Sequence, residues 1–273
     1  MQGLQENNCM YQSFKKDNYT IAYQKYGTPK PAVVLVHGFP EDGTVFEKQY
    51  AFLKENYTVI VPDLPGSGKS AYNPNLQSTE DFAEMIKLVL QQEQIEKCFL
   101  LGHSMGGYIA LAFAEKYPER LLGLGLIHST AYEDSPEKKE NRKRSIRLME
   151  KYGGYFFLRT VIPGLFSGTF AAAQPSVIEQ LTEKGKAFET KALQQYYSIM
   201  MHRKDKTNML QNIAVPVLFI IGEQDTAVPT QDVLQQIALP QTSFIKILPD
   251  AAHMGFLEKP EKVNEAIVRF INL

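Results

Sequence analysis

The sequence predicts an α/β protein, with a mostly parallel, doubly wound sheet and a block of helices inserted between two of its strands. Three observations predict it. Short β-branched and aliphatic runs recur along the chain with helical patterns between them, the alternation that builds parallel sheets with helices on both faces. Most of those runs are apolar throughout, as strands covered on both faces must be. Between residues 131 and 207 the alternation stops, and helical patterns follow one another without a convincing buried strand.

The elements follow in order. The segment YQSFKKDNYTIAYQKYG alternates apolar and polar residues, with Asp17-Asn18 as a hairpin turn. PAVVLVHG (31–38) is a buried strand, residues 43–55 have helical spacing, and YTVIVPDLPG (57–66) is a second buried strand ended by prolines. Residues 78–93 read as a helix with Thr79 as its cap. KCFLLGHS is the third buried strand, Met105 to Tyr117 the helix after it, and LLGLGLIHS (121–129) the fourth strand. After the helical stretch, VPVLFIIGEQD (215–225), a helix at 229–238, the strand SFIKILPD (243–250) and a helix from Glu258 to Ile271 complete the pattern. The expected division is a core of residues 1–130 and 208–273, with residues 131–207 lying over the top of the sheet.

Composition narrows the function classes. The chain has 273 residues, 44% hydrophobic and 22% charged, with a formal net charge of −1. That is an ordinary globular composition, long enough for a sizeable core and without a global field for nucleic acid or anionic membrane. The one basic run, EKKENRKRSIR at 137–147, reads first as a solvated helix face, with an anion-binding lid as the alternative. The two cysteines, Cys9 and Cys98, form neither a disulfide framework nor a metal site. The N-terminal MQGLQENNCM lacks an apolar signal region, and no run approaches the roughly 18 apolar residues of a membrane span. A reducing, cytoplasmic setting is therefore expected, and the expected partner is a small-molecule substrate rather than nucleic acid or membrane.

Parallel sheets bind ligands at the carboxyl ends of their strands. In this chain those ends carry His37-Gly38-Phe39, Asp63, Ser104, His128-Ser129, Asp225 and His253. Gly102-His103-Ser104-Met105-Gly106 fits G-x-S-x-G between a strand and a helix, the context of a nucleophile elbow. So tight a turn strains the serine and leaves no room for side chains two residues either side, a steric reason for Gly102 and Gly106. It also sets the Met105 N–H at a helix N-terminus, where donors are unpaired and negative charge is favoured. A serine hydroxyl needs a base, and the base a carboxylate. His253 follows the last strand and Asp225 ends the one before it, in the chain order Ser, Asp, His.

The alternatives fit less well. His103 adjoins the nucleophile and should point away. His202 lies in the helical stretch, His37 is placed to order its loop, and His128 either lines the pocket or packs. Among the acids, Asp250 is poorly placed to reach the far nitrogen of His253, Glu133 is distant, and Glu223 shares a turn with Asp225. The second oxyanion donor is expected from HGFP, at the Phe39 N–H, because Pro40 has none.

HGFP, DLPGSGKS, GHSMGG, the aspartate of GEQD and the histidine before MGFLEKPE together resemble the α/β-hydrolase superfamily, its lidded members in particular. The resemblance covers nearly the whole chain. It implies the α/β-hydrolase fold, Ser104, Asp225 and His253 as nucleophile, acid and base, an oxyanion loop at Phe39, and residues 131–207 as the helical cap. It implies no metal and no organic cofactor. Gly68-Lys69-Ser70 imitates a phosphate-binding loop, but Asp63 stands where that motif needs glycine. The segment is read as a structural turn. Haloalkane dehalogenases and epoxide hydrolases, similar at HGFP, use aspartate where this chain has Ser104.

The reading that follows is a serine hydrolase that cleaves a small to medium hydrophobic carboxylic ester or lactone through an acyl-enzyme. The alternatives are a C–C bond hydrolase of β-diketone-like substrates, another triad enzyme such as a cofactor-free haloperoxidase or an aminopeptidase, and a slow-turnover ligand receptor. YGGYFFLRTVIPGLFSGTF and LQQYYSIMM supply aromatics to pack the cap and line an apolar pocket. Gly153-Gly154 and Pro163-Gly164 are candidate hinges. Arg159 is read as a surface residue before a carboxylate-binding one.

Overall fold

In the computed structural model, the described residues are 10–28 and 30–273. Cys9 and the polar stretch before it lie outside the described residues. The N-terminal alternation folds as β1 (Met10–Lys16) and β2 (Tyr19–Tyr26), joined at Asp17-Asn18, with Asp17 in the left-handed region. The apolar runs become β3 (Ala32–Val36), β4 (Thr58–Pro62), β5 (Cys98–His103), β6 (Leu121–Ile127), β7 (Val217–Gly222) and β8 (Ser243–Leu248). They form one eight-stranded sheet in the order β1-β2-β4-β3-β5-β6-β7-β8. β1, β2 and β4 pair antiparallel, and every later pairing is parallel. β3, β4, β5 and β7 are buried along their whole length, which is why they read as unbroken apolar runs.

The helices are α1 (Glu47–Leu53), α2 (Thr79–Gln92), α3 (Met105–Lys116), α4 (Pro136–Tyr152), α5 (Gly154–Val161), α6 (Gly168–Ala173), α7 (Pro175–Lys184), α8 (Thr190–His202), α9 (Thr207–Gln211), α10 (Thr230–Leu234), α11 (Gly255–Glu258) and α12 (Pro260–Ile271). From β3 the chain steps through α1 to β4 on one side, then returns through α2 to β5 on the other. Right-handed crossovers in opposite directions put their helices on opposite faces, and the strand order reverses between β3 and β5. The crevice at that switch point is where the site lies.

Several local readings are corrected. The N-cap of α2 is Ser78, not Thr79: Ser78 Oγ accepts from the Asp81 N–H and Asp81 reciprocates to the Ser78 N–H, a complete capping box. Residues 43–46 form a 3-10 turn ahead of α1, and the helix expected at 229–238 is only the five residues of α10. The last helix begins as the separate turn α11, because Pro260 starts a new helix at its first position. Between β6 and β7 the chain is helical from Pro136, and α9 carries the helical run past residue 207. Among the described residues no helix is long and apolar enough to cross a membrane.

Candidate active site

Register places Ser104. Val36 on β3 is paired with Gly102 on β5, so two residues on, Gly38 and Ser104 emerge side by side above the sheet. A methyl built on Gly38 would sit 3.0 Å from Ser104 Cβ. Ser104 itself has φ 49 and ψ −116, strained for any residue but glycine. Its surroundings enforce that conformation. The Ser104 N–H donates to the Ile127 carbonyl at 2.9 Å, and Ser129 Oγ donates to the Ser104 carbonyl at 2.8 Å. A Cβ at Gly102 would lie 2.2 Å from the Gly106 carbonyl oxygen, and one at Gly106 2.2 Å from that of Val36. The glycines are therefore dictated by backbone contact, as the elbow reading requires.

The loop after β8 delivers His253 and the loop after β7 delivers Asp225. His253 Nε2 lies 2.8 Å from Ser104 Oγ, and His253 Nδ1 lies 2.9 Å from Asp225 Oδ2. Asp225 Oδ1 accepts from the Ala227 and Val228 N–H groups, both at 2.9 Å, which fixes the carboxylate plane. All three side chains are buried. Burial works against the Asp225 charge, but His253 beside it outweighs that and holds the carboxyl far below its usual range. For His253, burial opposes the charged form, yet the Asp225 carboxylate prevails and lifts the imidazole above its ordinary 6.5. The geometry is that of a hydroxyl within reach of a base that a carboxylate orients.

Met105 is the first residue of α3, so its N–H has no intrahelical acceptor. Phe39, carried beside Ser104 by Gly38, precedes Pro40 through a cis peptide. His37 orders this loop: its Nε2 accepts from the Leu64 N–H at 3.0 Å and its Nδ1 bonds the Gly38 carbonyl at 2.9 Å. Asp63 closes the neighbouring turn, accepting from the Gly43 N–H at 2.9 Å and the Lys69 N–H at 2.8 Å. Gly68, at φ 53, leaves no space beside that carboxylate for a side chain. With its N–H donating to the Ala22 carbonyl of β2 at 3.0 Å, Asp63 thus ties β2 and the turn after β4 to the segment after β3.

The other candidates fall elsewhere. His202 is exposed on α8, bonded to the Ser198 carbonyl. Glu133, Glu223, Asp250 and Arg159 are exposed. His128 is buried with φ 48, its Nδ1 3.4 Å from Asp225 Oδ2, and neither ring nitrogen makes a hydrogen bond. Burial pushes its pKa down to about 4, so it is a neutral packed neighbour of the acid. His103 does point away from the cleft, but into contacts sequence reasoning missed: Glu41 and the His253 carbonyl. Glu41 belongs to HGFPE, directly after the loop motif, and only its proximity to that motif marked it.

The helical insertion approaches this cleft on aromatic side chains. The Tyr197 ring on α8 stands 4.7 Å from that of Phe39 and 5.4 Å from Phe157. The Leu165 carbonyl accepts from the His253 N–H at 3.0 Å. Arg142, inside the basic run, is not solvated with its neighbours. It pairs with buried Asp134, which also takes Arg203 at 2.7 Å.

Fold and site together define an enzyme of the α/β-hydrolase superfamily. The chain belongs to the family described as serine aminopeptidase, S33, whose model matches residues 27–260. It is similar to a thermophilic esterase from Thermogutta terrifontis, solved with malate bound: 31% identity, TM-score 0.89, covering 97% of this chain and 98% of that one. It is 28% identical over 252 residues to the pimeloyl-[acyl-carrier protein] methyl ester esterase of Xanthomonas oryzae pv. oryzae, covering 88% of this chain and 95% of the relative. An enol-lactonase from Burkholderia xenovorans LB400 shares the fold at TM-score 0.88 and 20% identity, covering 96% of this chain and all of that one.

Proposed function

We propose that the protein is a serine hydrolase that cleaves small to medium hydrophobic carboxylic esters or lactones through an acyl-enzyme. One observation carries the reading: an unbroken hydrogen-bonded chain from Ser104 Oγ through His253 to Asp225, set at the N-terminus of α3. Ser104 attacks the substrate carbonyl while His253 Nε2 takes its proton. The developing oxyanion accepts from the Met105 and Phe39 N–H groups, each worth roughly 2.7–4 kcal/mol in the transition state. His253 then protonates the departing alkoxide. Water, deprotonated by the same nitrogen, attacks the acyl group and releases the acid.

Residues 131–207 form the cap that selects the acyl group, and residues 1–130 and 208–273 form the catalytic core. Phe39, Phe157 and Tyr197 favour an apolar acyl chain over a charged one at the base of the cleft. The ester class is supported by the esterases among the similar proteins. The family's aminopeptidase name adds amides to the test panel. The buried acid at the start of the insertion, Asp134, is already engaged by two arginines and so offers no clamp for a substrate amine. The Ser104→Ala variant is expected to lose turnover of 4-nitrophenyl esters by about 10⁶-fold with an unchanged melting temperature. Activity within tenfold of the parent would contradict the mechanism.

A further inference from the structure

A second acid–histidine pair lies beneath the first. Glu41 and His103 are completely buried. Glu41 comes from the oxyanion loop, and its Oε2 accepts from the Gly38 N–H at 2.8 Å. His103 ends β5, one residue before Ser104, and its Nδ1 lies 3.0 Å from Glu41 Oε1 and 3.1 Å from Oε2. The other ring nitrogen, Nε2, lies 3.0 Å from the main-chain carbonyl oxygen of His253. A carbonyl only accepts, so Nε2 donates. Burial opposes ionisation of Glu41, but the contacts with His103 and the Gly38 N–H prevail and hold the carboxyl below its usual range.

Two side chains thus touch all three parts of the site. They reach the backbone that presents Phe39, the strand that presents Ser104 and the backbone of the base. A buried ionisable pair is not a cheap way to fill space, since apolar residues of similar volume are often as stable or more so. We propose that Glu41 and His103 are a positioning pair that sets the oxyanion loop and the His253 main chain in register with Ser104. This rests on the triad reading above. Misplacement of reacting groups by ~1 Å costs on the order of 10²-fold in rate, with little effect on ground-state binding.

The test uses 4-nitrophenyl butyrate turnover, fluorophosphonate labelling of Ser104, and thermal melts. The Glu41→Gln variant keeps an acceptor for Gly38 and, with its amide, a donor to a His103 that still carries hydrogen on Nε2. It is expected to retain kcat within about threefold of the parent, because the hydrogen-bond geometry survives. The Glu41→Leu variant, and the double variant Glu41→Leu with His103→Phe, are expected to lose kcat about 100-fold at nearly constant KM. Labelling should slow in parallel. The double variant leaves no unpaired buried charge and is expected to fold, and its loss should not exceed that of the single, because the two residues act as one unit. A folded double variant with kcat within threefold of the parent overturns the proposal. So does a rise in KM at constant kcat, or failure of both variants to fold under conditions where Ser104→Ala folds. A Ser104→Ala protein that still turns over would instead remove the triad reading itself.

Discussion

The cleft at the top of the sheet and the helices that cover it are held by different means. At the cleft, backbone meets backbone. A methyl on Gly102 or Gly106 collides with a main-chain oxygen at 2.2 Å. In the insertion, a methyl on Gly164 or Gly168 meets nothing within 4 Å. The insertion is anchored instead by side chains. Gln195 donates to the Asn73 and Leu76 carbonyls, Tyr196 to that of Pro65, and Ser167 to Glu258. Asp134 staples α4 and the end of α8 through Arg142 and Arg203. Backbone-to-backbone contact therefore dictates the glycines of the elbow, whereas in the insertion space is tight against side chains at Gly154, open at Gly164 and Gly168, and polar pairs do the anchoring. A scaffold of this kind can change its substrate by changing the insertion while the chemistry below stays fixed.

Substitutions can break or sharpen that contrast. The Asp225→Asn variant should lose about 10⁴-fold in kcat, because His253 is then held in the wrong tautomer. The parent's pH profile carries the matching sign. In the proposed mechanism His253 acts as base only when neutral, and Asp225 raises its pKa, so kcat/KM should climb with pH through a midpoint above 6.5. Removing the Asp225 charge should move that midpoint down, and an unmoved acid limb would assign it to another group.

In the insertion, the Asp134→Ala variant strands Arg203 and Arg142 without their carboxylate. It should lower stability by about 3–5 kcal/mol, read from denaturant melts. A loss below about 1 kcal/mol would show that the staple is dispensable. The Gly106→Ala variant should destabilise by about 1–3 kcal/mol and weaken turnover, since the elbow must open to admit the methyl. The Gly164→Ala variant is the counterpart. Stability should hold or rise by about 0.4–1 kcal/mol through a less flexible unfolded chain. A large fall in kcat there would instead identify residue 164 as a hinge.

The parallel strands and the residues at their ends were legible because each buried strand is an apolar run closed by a polar residue. Ser104 and Asp225 follow two such ends, whereas His253 lies in the loop after β8, a half-exposed edge strand broken by Lys246, and is found from its place after the last strand and from chain order. What escaped reading depends on contacts between distant segments. Glu41 reads as one more loop carboxylate until β3 and β5 pair and bring His103 beside it. Arg142 is indistinguishable in sequence from the solvated lysines and arginines around it, and only Asp134 draws it inward. The helix cap shifted by one residue, from Thr79 to Ser78, because both hydroxyls suit a cap and Asp81 completes the box only with Ser78.

The most direct test of the armed-serine claim is intact-mass labelling with a fluorophosphonate followed by peptide mapping, with the Ser104→Ala and His253→Ala variants alongside. Rapid addition of one label, at Ser104 and lost in both variants, is the predicted result. A folded protein that takes no label, or takes it at another residue, would contradict the account.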